Sequence, residues 1–120
     1  MASHLIKVAP DRDSYVIWSV TDAGPEWIGT RAETEIELKE RGDYSEDRFA
    51  RANETGSSAR RMQGSEVVPY GWDDAFITVG EGLPSGTGLR RLPREALEEY
   101  ALAAVEGRED DMLAMTLPYE

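Results

Sequence analysis

Apolar residues fall into short runs that predict strands in the first part of the chain. The run at 15–20 (YVIWSV) is apolar on both alternating faces, as in an interior strand that is covered on both sides. A shorter run at 4–9 precedes it, and Pro10 and Asp11 between the two favour a turn, so we predict a hairpin. A short strand is also predicted at 26–29. The predicted sheet holds four strands: 4–9, 15–21, 66–70 and 75–80.

Helix signals begin at residue 30. Thr30 and Glu33 have the spacing of a capping box, and Gly42 suits the left-handed residue that follows a helix, so the segment 30–41 is predicted to be helical. Apolar and charged residues alternate over 34–39, however, and this alternation is typical of a strand. The sequence therefore favours a helix at 30–41 and leaves a strand as the alternative.

The clearest helical pattern lies at 93–106. Pro93 suits the first helical position and Gly107 suits the residue after the helix. Five apolar residues recur on one face at helical spacing: Leu97, Tyr100, Ala101, Ala104 and Val105. Shorter helices are predicted at 45–53 and 109–115.

These elements predict an α+β fold, with a small, mainly antiparallel sheet packed against two to four helices. A length of 120 residues fits a single domain spanning 1–120. Leu, Ile, Val and Phe make up less than a fifth of the chain, which warns of disorder at this net charge, but three Trp and five Tyr add large apolar groups. The predicted core comprises Ile6, Val16, Trp18, Val20, Phe76, Ile77, Val79, Leu97, Tyr100, Ala101, Ala104 and Val105.

The net charge indicates the class of binding partner more clearly than any sequence motif does. The chain has 24 acidic and 13 basic side chains, a net charge of -11, one His and no Cys. Such a surface repels phosphate backbones and anionic membranes and attracts basic protein surfaces. The acids are densest after residue 94, where only Arg108 is basic beyond position 95. This predicts either a solvated helix face or a docking face, formed by Glu95, Glu98, Glu99, Glu106, Glu109, Asp110 and Asp111.

Few residues of the sequence are of the types that usually carry out catalysis. The chain lacks a thiol, its one imidazole is His4, and no complete phosphate-binding or metal-binding motif is present, so we expect no cofactor and no metal. A weaker signal for an anion site is the glycine-rich segment 80–88, which leads into Arg90 and Arg91. Its predicted residues are Arg60, Arg61, Tyr70, Trp72, Arg90 and Arg91.

The sequence thus favours a small acidic intracellular protein that acts through protein–protein interaction, as an adaptor or inhibitor of a partner with a basic surface. A nucleic-acid mimic is one form of this hypothesis, and a homodimer is possible. The absence of Cys and of an apolar leader or spanning segment favours the cytoplasm. The alternative is a small enzyme or ligand-binding domain that uses the 80–91 segment to hold an anionic small molecule.

Overall fold

Six strands and four helices make up the part of the chain that the structure, a computed structural model, describes: residues 3–19, 24–59, 70–72, 74–80 and 88–118. The strands are β1 (Ser3–Lys7), β2 (Tyr15–Ser19), β3 (Gly24–Gly29), β4 (Phe76–Val79), β5 (Arg90–Pro93) and β6 (Leu117–Pro118). The helices are α1 (Arg31–Arg41), α2 (Glu46–Thr55), α3 (Leu97–Val105) and α4 (Glu109–Ala114), and a 3₁₀ turn (Arg94–Ala96) precedes α3.

The α+β class is confirmed, with every described strand pair antiparallel. The strands form two three-stranded sheets, which we call the first sheet (β1-β2-β3) and the second sheet (β4-β5-β6). The predicted hairpin of β1 and β2 is confirmed, with Ile6 opposite Val16. The predicted strand at 66–70 lies outside the described residues except for Tyr70, which is in a turn. The described partner of β4 is β5, a strand that the sequence pattern did not reveal.

The first sheet separates two apolar clusters, and this explains why β2 is apolar on both faces. One face packs on α1 and α2, with Leu5, Tyr15, Ile17, Leu38, Phe49 and Ala52. The other packs on α3 and the second sheet, with Ile6, Val8, Val16, Trp18, Ile77, Val79, Leu92, Leu97, Tyr100, Ala101, Ala103 and Met112. Because a strand alternates its side chains between faces, one central strand contributes to both clusters.

The segment 30–41 is a helix, as the capping signals predicted. The Thr30 hydroxyl accepts from the Glu33 amide at 3.2 Å, and the Glu33 carboxylate accepts from the Thr30 amide at 2.9 Å. Gly42 closes the helix with φ of 76°, in the left-handed region that favours glycine. The alternation over 34–39 is misleading here because a complete cap outweighs it. The short helices predicted near 45–53 and 109–115 are confirmed as α2 and α4.

The start of α3 was predicted four residues too early. Pro93 is the last residue of β5, with ψ of 132°, and the helix begins at Leu97 after the 3₁₀ turn. A fixed proline φ suits an extended strand as well as a first helical turn, so the residue alone cannot distinguish them. Pairing of Pro93 with Phe76 in the second sheet keeps the segment extended.

Two predicted core residues are exposed. Phe76 precedes Ile77 in β4, and adjacent strand residues face opposite sides, so Ile77 is buried while Phe76 faces outward under the Arg91 guanidinium. Val105 lies at the last position of α3, and its side chain is 51% exposed. Ala104 is partly buried, and Val20 lies outside the described residues.

Candidate functional site

The solvent-facing side of α3 combines exposed apolar and acidic residues. Burial of Leu97, Tyr100, Ala101 and Ala103 fixes the rotation of this helix against the core. Leu102 is therefore turned outward, with 42% of its surface exposed, and Val105 is exposed three residues later. The exposure of Leu102 agrees with the sequence pattern, because Leu102 lies off the predicted apolar stripe, whereas Val105 was predicted to lie in the core.

Acidic residues surround these two apolar residues along the helix. Glu98 precedes Leu102 by one turn, Glu106 follows it by one turn, and Glu99 lies three residues before it. Glu95, in the 3₁₀ turn, lies four residues before Glu99 and is exposed. We call the combined surface the α3 outer face: Glu95, Glu98, Glu99, Leu102, Val105 and Glu106.

Few cations balance these acids. Arg108 donates to Glu106 and to Asp111, both at 2.7 Å, and the two hydrogen bonds, that to Asp111 being the stronger influence, raise the pKa of Arg108. Arg12 pairs with Glu98 at 2.5 Å. Among the described residues, no ion pair reaches the remaining predicted acids of this region, which are Glu95, Glu99, Glu109 and Asp110.

The helices α1 and α2 carry basic residues beside their acids, namely Arg31, Lys39, Arg41, Arg48 and Arg51. Arg41 at the end of α1 bonds both Glu37 at 2.7 Å and Glu26 at 3.1 Å. Lys39 pairs with Glu35 across one helical turn at 3.6 Å. The helices α3 and α4 contain acidic residues and no basic residue, so they carry a more negative surface than α1 and α2 do.

A groove of about 340 Å³ adjoins the α3 outer face at Glu98 and Leu102. It lies between the β1–β2 turn, the end of β3, the start of α1 and α3. Its lining includes the apolar residues Ile28 and Leu102 and the charged residues Arg12, Asp13, Glu33 and Glu98. The Arg12–Glu98 pair joins the turn to α3 beside this groove.

The arginines predicted to bind an anion lie in a different part of the fold. Arg90 donates through Nε to the Thr116 hydroxyl at 2.6 Å, and Arg91 donates through Nε to the Pro118 carbonyl at 3.0 Å. Both side chains thus bind the segment that contains β6. Arg60, Arg61 and residues 81–87 of the glycine-rich segment lie outside the described residues, so the anion site stays a prediction.

Trp72 stacks on Arg94, which the sequence analysis did not single out. The Arg94 guanidinium lies 4.9 Å from the Trp72 ring. The Trp72 indole also donates to the Glu54 carbonyl at 3.1 Å, and the Tyr70 ring packs 5.7 Å from Trp18. These contacts give both predicted aromatic residues a structural role.

Arg94 is 8% exposed and donates to four carbonyls, those of Lys7, Val8, Gly56 and Tyr70, at 2.9 to 3.2 Å. Burial lowers the pKa of its guanidinium, opposed by the charge of Asp74. Nothing in the local sequence distinguishes Arg94 from its neighbours, because its partners come from distant segments.

Within the described residues, no group of three or more acidic or imidazole side chains is placed to hold a metal ion. No described helix is long and apolar enough to cross a membrane. Comparisons with family models, curated proteins and solved structures find no match to this chain.

Proposed function

We propose that this protein acts by binding another protein through the α3 outer face, and that the partner presents a basic amphipathic segment. The observation that carries the proposal is the exposure of Leu102 and Val105 on a helix face where the neighbouring charged residues are Glu98, Glu99 and Glu106. Exposed apolar side chains rimmed by polar ones are typical of interaction surfaces.

The two kinds of residue have separate roles in this proposal. Leu102 and Val105 supply apolar area that leaves water on binding, which is the main source of affinity. The surrounding carboxylates attract a basic partner, speed its approach and disfavour acidic surfaces. The net charge of -11 acts in the same direction over a longer range.

A synthetic peptide of Lys, Leu and Ala, arranged as an amphipathic helix and fluorescently labelled, provides a defined probe. Anisotropy titrations are expected to show binding that weakens as salt is raised, because added ions screen the attraction. The same peptide with Glu in place of Lys is the charge control. Equal binding of the two peptides would contradict the proposal.

The apolar contribution is tested by the double variant Leu102→Ser with Val105→Ser. Binding of the Lys peptide is expected to weaken at least about tenfold, since truncation of a central apolar contact costs roughly 1 kcal/mol or more. Ile36→Ser is the matched control, because Ile36 is an exposed apolar residue on α1. If Ile36→Ser weakens binding as much as the double variant does, the α3 outer face is not the binding surface.

A further inference from the structure

The groove beside the α3 outer face contains a cation that belongs to the protein itself. Arg12, in the turn between β1 and β2, is the one basic residue among the described residues that line this groove. Its Nη2 contacts Glu98 Oε1, and 57% of the Arg12 side chain remains exposed, against 27% for Glu98. A surface pair of this kind is weak and readily exchanged.

We propose that this groove is the cation-binding subsite of the α3 outer face, and that Arg12 occupies it as an internal competitor for an arginine or lysine side chain of the partner. The inference rests on the proposed function, since it concerns the same basic partner. It adds a specific position for one basic side chain and a residue that regulates access to it.

The lining of the groove suits both parts of a long basic side chain. Ile28 and Leu102 offer apolar contact to its methylene stem, and the carboxylates of Asp13, Glu33 and Glu98 offer acceptors to its charged group. Asp13 accepts from the Arg31 amide through Oδ1 at 2.8 Å. Its second oxygen accepts no hydrogen bond from the described residues, so it is available to a guest.

Glu33 and Glu98 complete the set of acceptors. Glu33 binds the Thr30 amide through Oε1 at 2.9 Å, and its other oxygen also accepts nothing from the described residues. Glu98 is held in position by α3 and is engaged by Arg12 alone among the described residues. Displacing Arg12 therefore frees one complete carboxylate without breaking the caps of α1.

The test measures binding of the Lys, Leu and Ala peptide to Arg12→Ala. Affinity is expected to rise roughly two- to fivefold, the range in which an exposed ion pair competes. Arg41→Ala is the control, because it removes the same charge from a residue that also pairs with carboxylates, Glu26 and Glu37. Arg31 directly follows Thr30, which lines the groove, and Arg41 lies about 15 Å along the helix axis from Arg31. This distance exceeds the screening length at physiological salt, so the charge of Arg41 has little effect on the groove.

Glu98→Gln, made in the wild-type and in the Arg12→Ala background, provides the second arm. It is expected to weaken peptide binding in both and to abolish the gain from Arg12→Ala, because that gain comes from the freed Glu98 carboxylate. Circular dichroism confirms that each variant is folded before it is titrated.

The outcomes separate this inference from the proposed function. If Arg12→Ala and Arg41→Ala bind the peptide alike, or if Glu98→Gln has no effect, Arg12 is not a competitor and the subsite is overturned. The proposed function still stands in that case if Leu102→Ser with Val105→Ser weakens binding. If the double variant binds as well as the wild type does, the docking face fails and the subsite fails with it.

Discussion

Arg94 is a residue on which three separate segments of the chain converge. It connects β1, the residue after α2 and Tyr70 through backbone carbonyls, and it lies against the Trp72 ring. A buried guanidinium satisfied by carbonyl oxygens is stable only while every acceptor is in place. Its side chain therefore reinforces backbone hydrogen bonds that already join these segments, such as that from the Lys7 amide to the Gly56 carbonyl at 3.0 Å.

Arg94→Met is expected to destabilise the protein by about 3 kcal/mol or more, because it removes the side-chain donor that four carbonyls share. Arg94→Lys is expected to lose less stability, since an ammonium group keeps the charge and reaches some of the acceptors. Urea unfolding followed by tryptophan fluorescence measures both. Arg91→Met, on the partly exposed side of β5, is the control, and an equal loss in Arg91→Met would show that Arg94 has no special role.

At the residue scale, the prediction that Phe76 and Ile77 both lie in the core is wrong for Phe76. The two residues are neighbours in one strand, and a period of two places only one of them on a given face. The alternation of strand side chains was therefore enough to predict that one of the two is exposed. The role of Arg94 was not predictable, because it depends on carbonyls from positions 7, 8, 56 and 70 that only the folded chain brings together.

At the element scale, α1 shows how local chemistry decides between two conformations. Its apolar and charged residues alternate as in a strand, yet its two ends carry residues that favour a helix. The structure contains both caps, the capping box at the start and the left-handed Gly42 at the end. Leu38 and Thr34 are buried against the first sheet, and Ile36 is left exposed. The helix therefore depends on its caps more than a helix with a wide apolar face would.

Thr30→Ala is accordingly expected to reduce the free energy of unfolding by about 1 kcal/mol, the usual effect of losing an N-cap hydroxyl. Chemical denaturation monitored by circular dichroism gives the value. Glu40→Ala changes an exposed position of the same helix that makes no described ion pair, and should alter stability by less than about 0.5 kcal/mol. If Thr30→Ala reduces the free energy of unfolding no more than Glu40→Ala does, the capping box does not contribute to the stability of the protein.

The second sheet was the least predictable element. β5 (RRLP) and β6 (LP) are four and two residues long and show no strand pattern of their own. Their pairing depends on β4 and on the arginine side chains that bind the segment around Thr116 and Pro118. Whether such a short segment forms a strand depends on contacts with distant parts of the chain, and the residues of the segment itself do not reveal those contacts.

At the scale of the whole molecule, the layout of charge and the order of layers are related. The first sheet is covered on one side by α1 and α2 and on the other by α3 and the second sheet, so each helical layer exposes one face to solvent. The helices α1 and α2 contain five basic residues among their acids, whereas α3 and α4 contain acids alone as charged residues. The net charge could be predicted from composition, but its concentration beside exposed apolar residues required the fold.

For the whole molecule, we expect the single histidine to govern the pH response near neutrality, because it is the one side chain type present with an ordinary pKa between 5 and 8. His4 lies in β1 opposite Trp18, with its ring 6.0 Å from that of Tyr70. Burial, with a smaller contribution from the charge of Arg48, lowers the pKa of His4 below 6.5. The folded state therefore binds the His4 proton less readily than the unfolded state does.

Stability is consequently expected to fall as pH decreases through 6.5, because protons stabilise the unfolded chain first, and the His4 contribution levels off below its lowered pKa. His4→Gln removes this titration and leaves the carboxylates unchanged. The difference in unfolding free energy between wild type and His4→Gln, measured by urea denaturation from pH 8 to 5, should shift in favour of the variant as pH falls. A difference that is independent of pH, or that shifts towards the wild type, would mean that protonated His4 is tolerated in the folded state.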